Sequence, residues 1–440
     1  MPDQPLSQRL RAVFDHLDIG RAHLATQSPA DIATFIEQYP ARVAGIGLLA
    51  PPRMAPAPFA PPGRHVLYIA PSGGTLGRTA TIVRARLTGA AFATLGDYDA
   101  ESWSDLATDR PDIVQHLVNH FRQVTAADSA SGPETSGEIA GIRYHAVGAG
   151  PLLVLTPLAF APSQWAPLLP ELSKHFRVVS LSGPHLGMLA LLEQRARLHG
   201  WQTMCATAFD HLNLTPGDHV LEVGCGSGAT SRQFARHTAN QNQPTAIDLS
   251  HYLLNEANHA TAAEEKADNL AQTITFRHAS AEQLPFASNT FDAAYTITVL
   301  EECNAKRAIA ELKRVVKPAG HIAIIVRAID LAQWWNLPVT PEIRAKIARP
   351  AASVSADGIA TAALYSTATA AGLRPVHLYP FTVASESTHG PVFEFPETHA
   401  LAQLTTDEQA AYQAAKAQAI ADGTLFLTRG HHCFIGQVPD

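Results

Sequence analysis

Gly224, Cys225, Gly226, Ser227 and Gly228 follow the short apolar run Asp218 to Val223 (DHVLEV) and precede a helical segment, Ala229 to His237. Strand, glycine-rich loop and helix in that order suit a ligand that must lie against the main chain. Glycine leaves the side-chain space empty, and the first helical turn offers unpaired N–H donors at the positive end of its dipole. Asp248 ends the next strand, Thr245 to Asp248, about 20 residues on, where such folds place an acid on ribose hydroxyls. The chemistry this suggests is binding of a nucleoside-bearing cofactor. The spacing is GxGxG, with Glu222 two residues before the first glycine, and so departs from the GxGxxG of dinucleotide sites.

This arrangement resembles the motif of class I S-adenosylmethionine-dependent methyltransferases, a Rossmann-like α/β class, and most closely the branch that includes the ubiquinone-biosynthesis C-methyltransferases. The resemblance continues through TAIDLS (Thr245 to Ser250), HASAEQLPF (His278 to Phe286), FDAAYTITVLEE (Phe291 to Glu302) and AELKRVVKPAGHIAI (Ala310 to Ile324). It implies S-adenosyl-L-methionine as cofactor. Gly224, Gly226 and Gly228 would line its methionine and ribose, Glu222 would hold its amino-acid end, Asp248 would take the ribose diol, and Leu249 would pack on adenine. Cys225, as a small filler, and Thr296 join the cofactor-binding set. The family usually has an acid at the Ser280 position, facing the adenine amino group, so that contact is weakened here, while Ala281 keeps its backbone amide. A second departure is KPAG at Lys317 to Gly320, where the family usually has two glycines after the proline.

Methyl transfer from a sulfonium is a direct displacement with a good leaving group, so the protein has mainly to position the acceptor and exclude water. No catalytic triad is required. Substrate groups are expected from Trp201 to Phe209 and from Ala328 to Pro350. In the second segment Trp334 and Trp335 are the substrate-binding candidates, as an aromatic wall, against the plainer reading of a helix anchored to the sheet. Gly423 to Val438 (GTLFLTRGHHCFIGQV) reads as a strand pair interrupted by His431, His432 and Cys433. His431 and His432 are the catalytic candidates, since a histidine near neutral pKa suits a general base for a hydroxyl acceptor, although such residues also simply end strands. No metal site is expected, because these residues lack a convergent further ligand. Glu301 and Glu302 read as charges at a helix N-terminus.

The elements that must carry these residues alternate between helix and strand along the chain, which predicts an α/β fold. At 440 residues the chain is too long for one ordinary core, and two domains are expected. Leu6 to Leu17 reads as helix, His23 to Thr26 as strand, Asp31 to Gln38 as helix, and Val43 to Ala50 and His65 to Ala70 as strands. Two stretches read as linkers or surface loops, Pro51 to Gly63 and Gln123 to Gly137. Beyond them Glu138 to Ala146 and Pro151 to Thr156 read as strands, Gln164 to His175 as a helix, Phe176 to Leu181 as a strand, and Met188 to Leu212 as one helical run.

Leu6 to Pro52 resembles the nucleophile-elbow region of α/β-hydrolases, with Ser28 at the elbow. Both glycines of the usual GxSxG are missing, since the turn reads Thr26, Gln27, Ser28, Pro29, Ala30. His65 to Phe121 resembles the last third of that fold, and Gly137 to Gly187 resembles its beginning, placed after its end. The resemblance implies a circularly permuted hydrolase-like domain over residues 1–187 (1–122 and 137–187), followed by the methyltransferase domain over 188–440. Its oxyanion loop would be Thr156 to Phe160. With no visible base for Ser28, the domain is expected to be noncatalytic, shaping a homodimer or covering the methyltransferase pocket.

A net charge of −7 without long basic runs argues against a nucleic-acid partner. Four cysteines without a CxxC pair suggest neither disulfides nor a zinc finger, and no segment offers the ~18 apolar residues of a membrane helix. The expectation is a cytoplasmic enzyme methylating a small-molecule acceptor, without membrane partner. The competing reading is a catalytically silent cofactor-fold scaffold, and a third is a bifunctional hydrolase and methyltransferase.

Overall fold

Runs such as VAGIGLL (Val43–Leu49) are buried along their whole length, the mark of parallel strands covered by helices on both faces. The computed structural model describes residues 4–440 apart from 53, 55, 62, 102, 103, 125, 126, 184, 269–273, 353 and 387–389. Parts of both expected linkers, at 53, 55, 62, 125 and 126, therefore lie outside the described residues. Packing divides the chain into two units, Met1–Ala190 and Leu191–Asp440. The division falls inside the helix Gly187–Arg197.

The strands of the first unit are β1 (Ala22–Thr26), β2 (Val43–Leu49), β3 (Val66–Gly73), β4 (Ala91–Asp99), β5 (Ser129–Ala130), β6 (Thr135–Ile139), β7 (Ile142–Gly148), β8 (Gly150–Leu155) and β9 (Arg177–Ser182). They form one sheet in the order β4-β3-β2-β1-β8-β9-β7-β6, with β5 beside β8. The early and late parts of the unit meet where β1 runs parallel to β8, with His23 opposite Leu153. β6 and β7 form an antiparallel hairpin at one edge.

The second unit holds β10 (His219–Val223), β11 (Gln243–Asp248), β12 (Thr275–His278), β13 (Phe291–Ile297), β14 (Val316–Arg327), β15 (Trp334–Trp335), β16 (Arg374–Ser385) and β17 (Leu427–Gln437). Its sheet runs β12-β11-β10-β13-β14-β17, and β16 pairs with the outer side of β17. The first five strands are parallel, and β17 is antiparallel to β14. β11 lies on one side of β10 and β13 on the other, so the connections reverse direction at β10. Open α/β sheets bind ligands in the crevice at such a switch point, beyond the carboxyl ends of the strands. The loop after β10 is the glycine loop.

Several elements differ from the sequence reading. Gln164–His175 is not one helix, because Pro167 and Pro170 each remove an N–H. A 3₁₀ turn, Pro162–Trp165, and a short helix, Leu169–Leu172, stand there instead. Glu138–Ala146 is split by a turn at Ala140 and Gly141, both at positive φ. Met188–Leu212 breaks at Leu198, whose extended backbone separates Gly187–Arg197 from His199–Asp210. Leu427–Gln437 is a single strand that His431, His432 and Cys433 do not interrupt. No helix among the described residues is long and apolar enough to cross a membrane.

Candidate active site

β10 lies between two parallel neighbours, and its final residues are anchored before the chain turns. The amides of Gly224 and Cys225 both donate to the Ile247 carbonyl, at 2.8 and 2.9 Å. Gly224, Gly226 and Gly228 have φ of 78, 55 and 72°, the left-handed region in which a Cβ is strained. A Cβ on Gly224 would overlap Val299, and one on Gly228 would stand 2.8 Å from the Phe276 ring and 2.9 Å from Ala257. Gly228 is also the residue from which the helix Ala229–His237 starts. The loop thus brings bare main chain and a helix N-terminus to the switch point.

Two carboxylates frame it, Glu222 buried and Asp248 half-buried. Asp248, at the end of β11, accepts from Gly226 N–H at 2.8 Å and from Ser250 N–H at 2.9 Å. Burial raises its pKa while these backbone bonds pull it down. Glu222 accepts from the Ser231 hydroxyl and from Tyr295 OH, the latter at 2.9 Å. Burial pushes its pKa up to about 7, so a cationic group arriving beside it would favour the ionised form.

A further set of residues here escaped the sequence reading. Arg232 donates to both Glu193 oxygens, at 2.9 and 3.0 Å, and to Glu264 at 2.7 Å, and Glu193 also accepts from the Ser227 hydroxyl at 2.7 Å. Glu193 lies on Gly187–Arg197, which the network ties to the glycine loop. The only sequence signal was Arg232 itself, a cation in the first turn of a helix, where the dipole opposes it unless acids stand nearby.

The other cofactor candidates lie at or just beyond the carboxyl ends of β10, β11, β12 and β13. Leu249 is 52% exposed immediately after Asp248. Ser280 accepts the Glu282 amide at 3.2 Å, and Ala281 packs at the rim of the core cluster that includes Leu284 and Ala279. The Thr296 hydroxyl donates to the Val223 carbonyl at 3.0 Å, bracing the end of β10 from its neighbour. Cys225 packs with Ala246 and Leu254, and burial pushes its thiol pKa well up.

The substrate-side candidates separate. Trp334 and Trp335 sit on the short strand β15, where successive side chains point to opposite faces, and so they do not make one aromatic wall. Trp335, 1% exposed, donates to the Ile347 carbonyl at 2.9 Å and packs on Phe393 and Tyr412. Trp334, 47% exposed, lies under the Arg344 guanidinium.

His431 and His432 are neighbours on β17 and part in the same way. His432 is held between Asp330, at 2.8 Å, and Tyr365 OH, at 3.0 Å. His431 stands edge-on to Trp201. Burial and the nearby guanidiniums of Arg429, Arg195 and Arg327 push its pKa down to about 3, so the near-neutral pKa assumed for a general base does not hold there. Glu301 and Glu302 are not in a helix N-terminus, since that helix begins at Ala305 and is capped by Asn304. Glu301 is instead an interior carboxylate that accepts the Arg327 amide at 2.6 Å. No group of three or more His, Cys, Asp or Glu among the described residues could hold a metal ion.

In the first unit, Ser28 has its amide bonded to Thr26 Oγ1 at 2.9 Å. The residue facing the loop Thr156 to Phe160 is its neighbour Gln27, whose Oε1 accepts the Ala159 amide at 3.1 Å and whose Nε2 donates to the Ala50 carbonyl at 3.4 Å. Gln164 Oε1 accepts the Phe160 and Ala161 amides at 2.8 and 3.3 Å. Two successive loop amides, and that of Ala161 just after them, are therefore satisfied by side chains of the protein itself.

Residues 221–324 match the methyltransferase domain family. An O-methyltransferase of Pyrenophora dematioidea is 29% identical over 153 residues, 32% of this chain and 54% of that protein. An O-methyltransferase of Aspergillus nomiae is 33% identical over 122 residues, 28% of this chain and 52% of that one. A ubiquinone/menaquinone biosynthesis C-methyltransferase of Rickettsia felis is 33% identical over 123 residues, 27% and 47% of the two chains. The chain spans about half the length of the curated relatives it matches. The glycine loop at the switch point and Asp248 beside it both lie within the stretch, residues 221–324, that is similar to the methyltransferase domain family.

Proposed function

We propose that this protein transfers the methyl group of S-adenosyl-L-methionine to a small-molecule acceptor. The observation that carries the reading is the Gly224–Gly228 loop, with three glycines at positive φ at the switch point and Asp248 bonded across it to Gly226. The residues fit the cofactor, because Gly224 and Gly228, at positive φ and packed against Val299 and Phe276, leave no room for a side chain between the loop and its supports, and the two carboxylates suit a diol and an ammonium. When bound, the cofactor supplies an activated methyl on a good leaving group. The chain's own residues then have three tasks: Asp248 fixes the ribose, Glu222 meets the amino-acid end beneath the loop, and Leu249 offers apolar surface to the base.

Calorimetric titration with S-adenosylmethionine tests this, and a scaffold that has lost the site would give no heat. Asp248→Ala is expected to weaken binding at least tenfold, about 1.4 kcal/mol, and Ser280→Ala less than threefold. The reverse order would overturn the assignment of the adenosine contacts. His431, His432, Trp334 and Trp335 are read here as supporting the sheet and its edge, with His431 next to the acceptor side.

We read the first unit as an α/β-hydrolase-like domain in permuted order without catalytic function. In support, both of its segments enter one sheet through the β1 and β8 pair, and Gln27 and Gln164 occupy the loop amides that an oxyanion would need. Cleavage of short acyl esters by the purified protein, lost in Ser28→Ala, would sink this reading. A cytoplasmic setting is supported by four unpaired cysteines.

A further inference from the structure

Beyond the end of β13 the chain passes the glycine loop at Val299, whose side chain closes on Gly224. The flanking residues Thr298 and Glu301 belong to an interior polar cluster. Arg195 Nη1 donates to Thr298 Oγ1 at 3.2 Å, and its guanidinium lies 4.0 Å over the Trp201 ring. Trp201 meets His431 edge-on, with ring centroids 5.7 Å apart. Arg327, the register partner of His431 on β14, stands 3.4 Å from Glu301. Gly187–Arg197, β13, β14 and β17 thus converge on one place beside the cofactor loop.

Polar groups in this cluster are buried without partners. Glu301 is 0% exposed, Trp201 2% and His431 5%. Each nevertheless has an unpartnered polar atom, Oε2, Nε1 and Nδ1 respectively, and Arg195 Nε is a fourth. Each such atom bears the desolvation cost of a polar group with nothing in return. Arg195 has no carboxylate within ion-pairing distance among the described residues. The indole N–H and the guanidinium call for an acceptor carrying negative charge, which a guanidinium binds best as a carboxylate or phosphate. The free oxygen of Glu301 asks for a hydroxyl or amine donor, which favours a carboxylate carried on a molecule that also bears such a group.

Resting on the methyltransferase reading, we propose that Arg195 and Trp201, with Glu301 and His431 beside them, bind the carboxylate end of the methyl acceptor. The acceptor is then an organic hydroxy or amino acid, its donor group facing Glu301 and its reactive atom toward the Val299 side.

The full chain, with and without S-adenosylhomocysteine, would be titrated calorimetrically with mandelate and lactate, each against its neutral amide. At least one acid is expected to bind tenfold or more tightly than its amide. Arg195→Met should erase that preference and leave the affinity for S-adenosylhomocysteine within twofold. Trp201→Phe, which removes the indole donor and leaves a smaller ring under Arg195, should weaken the acid several-fold. Equal binding of acids and amides, or a preference that survives Arg195→Met, would overturn the proposal. So would a tenfold loss of S-adenosylhomocysteine affinity in Arg195→Met, because the arginine would then serve the cofactor's own carboxylate. Failure of the wild type to bind S-adenosylhomocysteine is a separate result. It removes the methyltransferase reading, and the titration without nucleoside still decides whether the anion site exists.

Discussion

Each unit of this protein carries a strand, a sharp loop and a helix at the carboxyl edge of a parallel sheet, and the two loops have opposite interiors. After β1, Thr26 to Ala30 contains no glycine, and Gln27 reaches back to the Ala159 amide and the Ala50 carbonyl. After β10, three glycines at positive φ let the main chain pack against Val299, Leu192 and Phe276, and the carboxylates around the loop are held by amides and hydroxyls. At the first loop the Ala159 and Phe160 amides are taken by side chains of the protein itself. The second holds its backbone open. The difference shows how a loop's role is written less in its fold than in whether its polar groups are already matched.

The largest expected effect breaks the open loop. Gly224→Ala forces a Cβ onto Val299 at a φ of 78°, and affinity for S-adenosylmethionine should fall at least hundredfold, about 3 kcal/mol. Ser28→Ala in the other loop should change neither cofactor affinity nor stability. Calorimetry on both variants checks the contrast, and a Gly224→Ala protein that binds like wild type would dissolve it.

The second prediction concerns Glu222, whose pKa burial lifts from 4.5 to about 7. The native state therefore keeps a proton that the unfolded chain releases. The stability this group contributes is fully present below pH 4.5 and lost as pH rises through 7, on the order of 3 kcal/mol. Glu222→Gln cannot titrate and should show a flatter decline. Denaturant midpoints at pH 5 and pH 8 test it, and parallel declines in the two proteins would refute it.

On the filled loop, Gln27→Ala leaves the Ala159 amide and the Ala50 carbonyl without the carboxamide. A loss of ~1–2 kcal/mol is expected from those unmet groups, with cofactor affinity unchanged and no gain of esterase activity. Esterase activity in this variant would show that the glutamine masks a working oxyanion loop.

The second loop is legible in the sequence because its requirements are local: glycines, a preceding strand, a following helix and an acid one strand on. The first loop is legible only in part. The missing glycines mark a degenerate elbow, but the sequence draws the eye to Ser28 and away from Gln27, because the partner of Gln27 lies more than a hundred residues away. Distance in sequence explains the other gaps too. Trp334 and Trp335 look like a pair until strand alternation parts them. Arg195, Trp201, Glu301 and His431 come from four separate elements, and no spacing announces them. Glu301 reads in sequence as a helix N-terminal charge, since burial of a carboxylate is a tertiary fact. Helix breaks at Pro167 and Pro170 are readable from proline chemistry, whereas the break at Leu198 carries no such mark.

The smallest effect separates two uses of glycine that the comparison joins. Ala319, in the KPAG turn before the body of β14, has a φ of 61° and donates its amide to the Val438 carbonyl at 2.9 Å. An alanine in the left-handed region costs ~1–2 kcal/mol, while glycine there loses more backbone entropy on folding, ~0.5–1 kcal/mol. Ala319→Gly should therefore stabilise the protein by ~0.5–1 kcal/mol, read as a rise in denaturant midpoint, with cofactor affinity unchanged. A glycine that only relaxes a turn acts on stability alone, and one that clears room for a ligand acts on binding. If Ala319→Gly altered S-adenosylmethionine affinity as Gly224→Ala is expected to, the division between the two roles would fail.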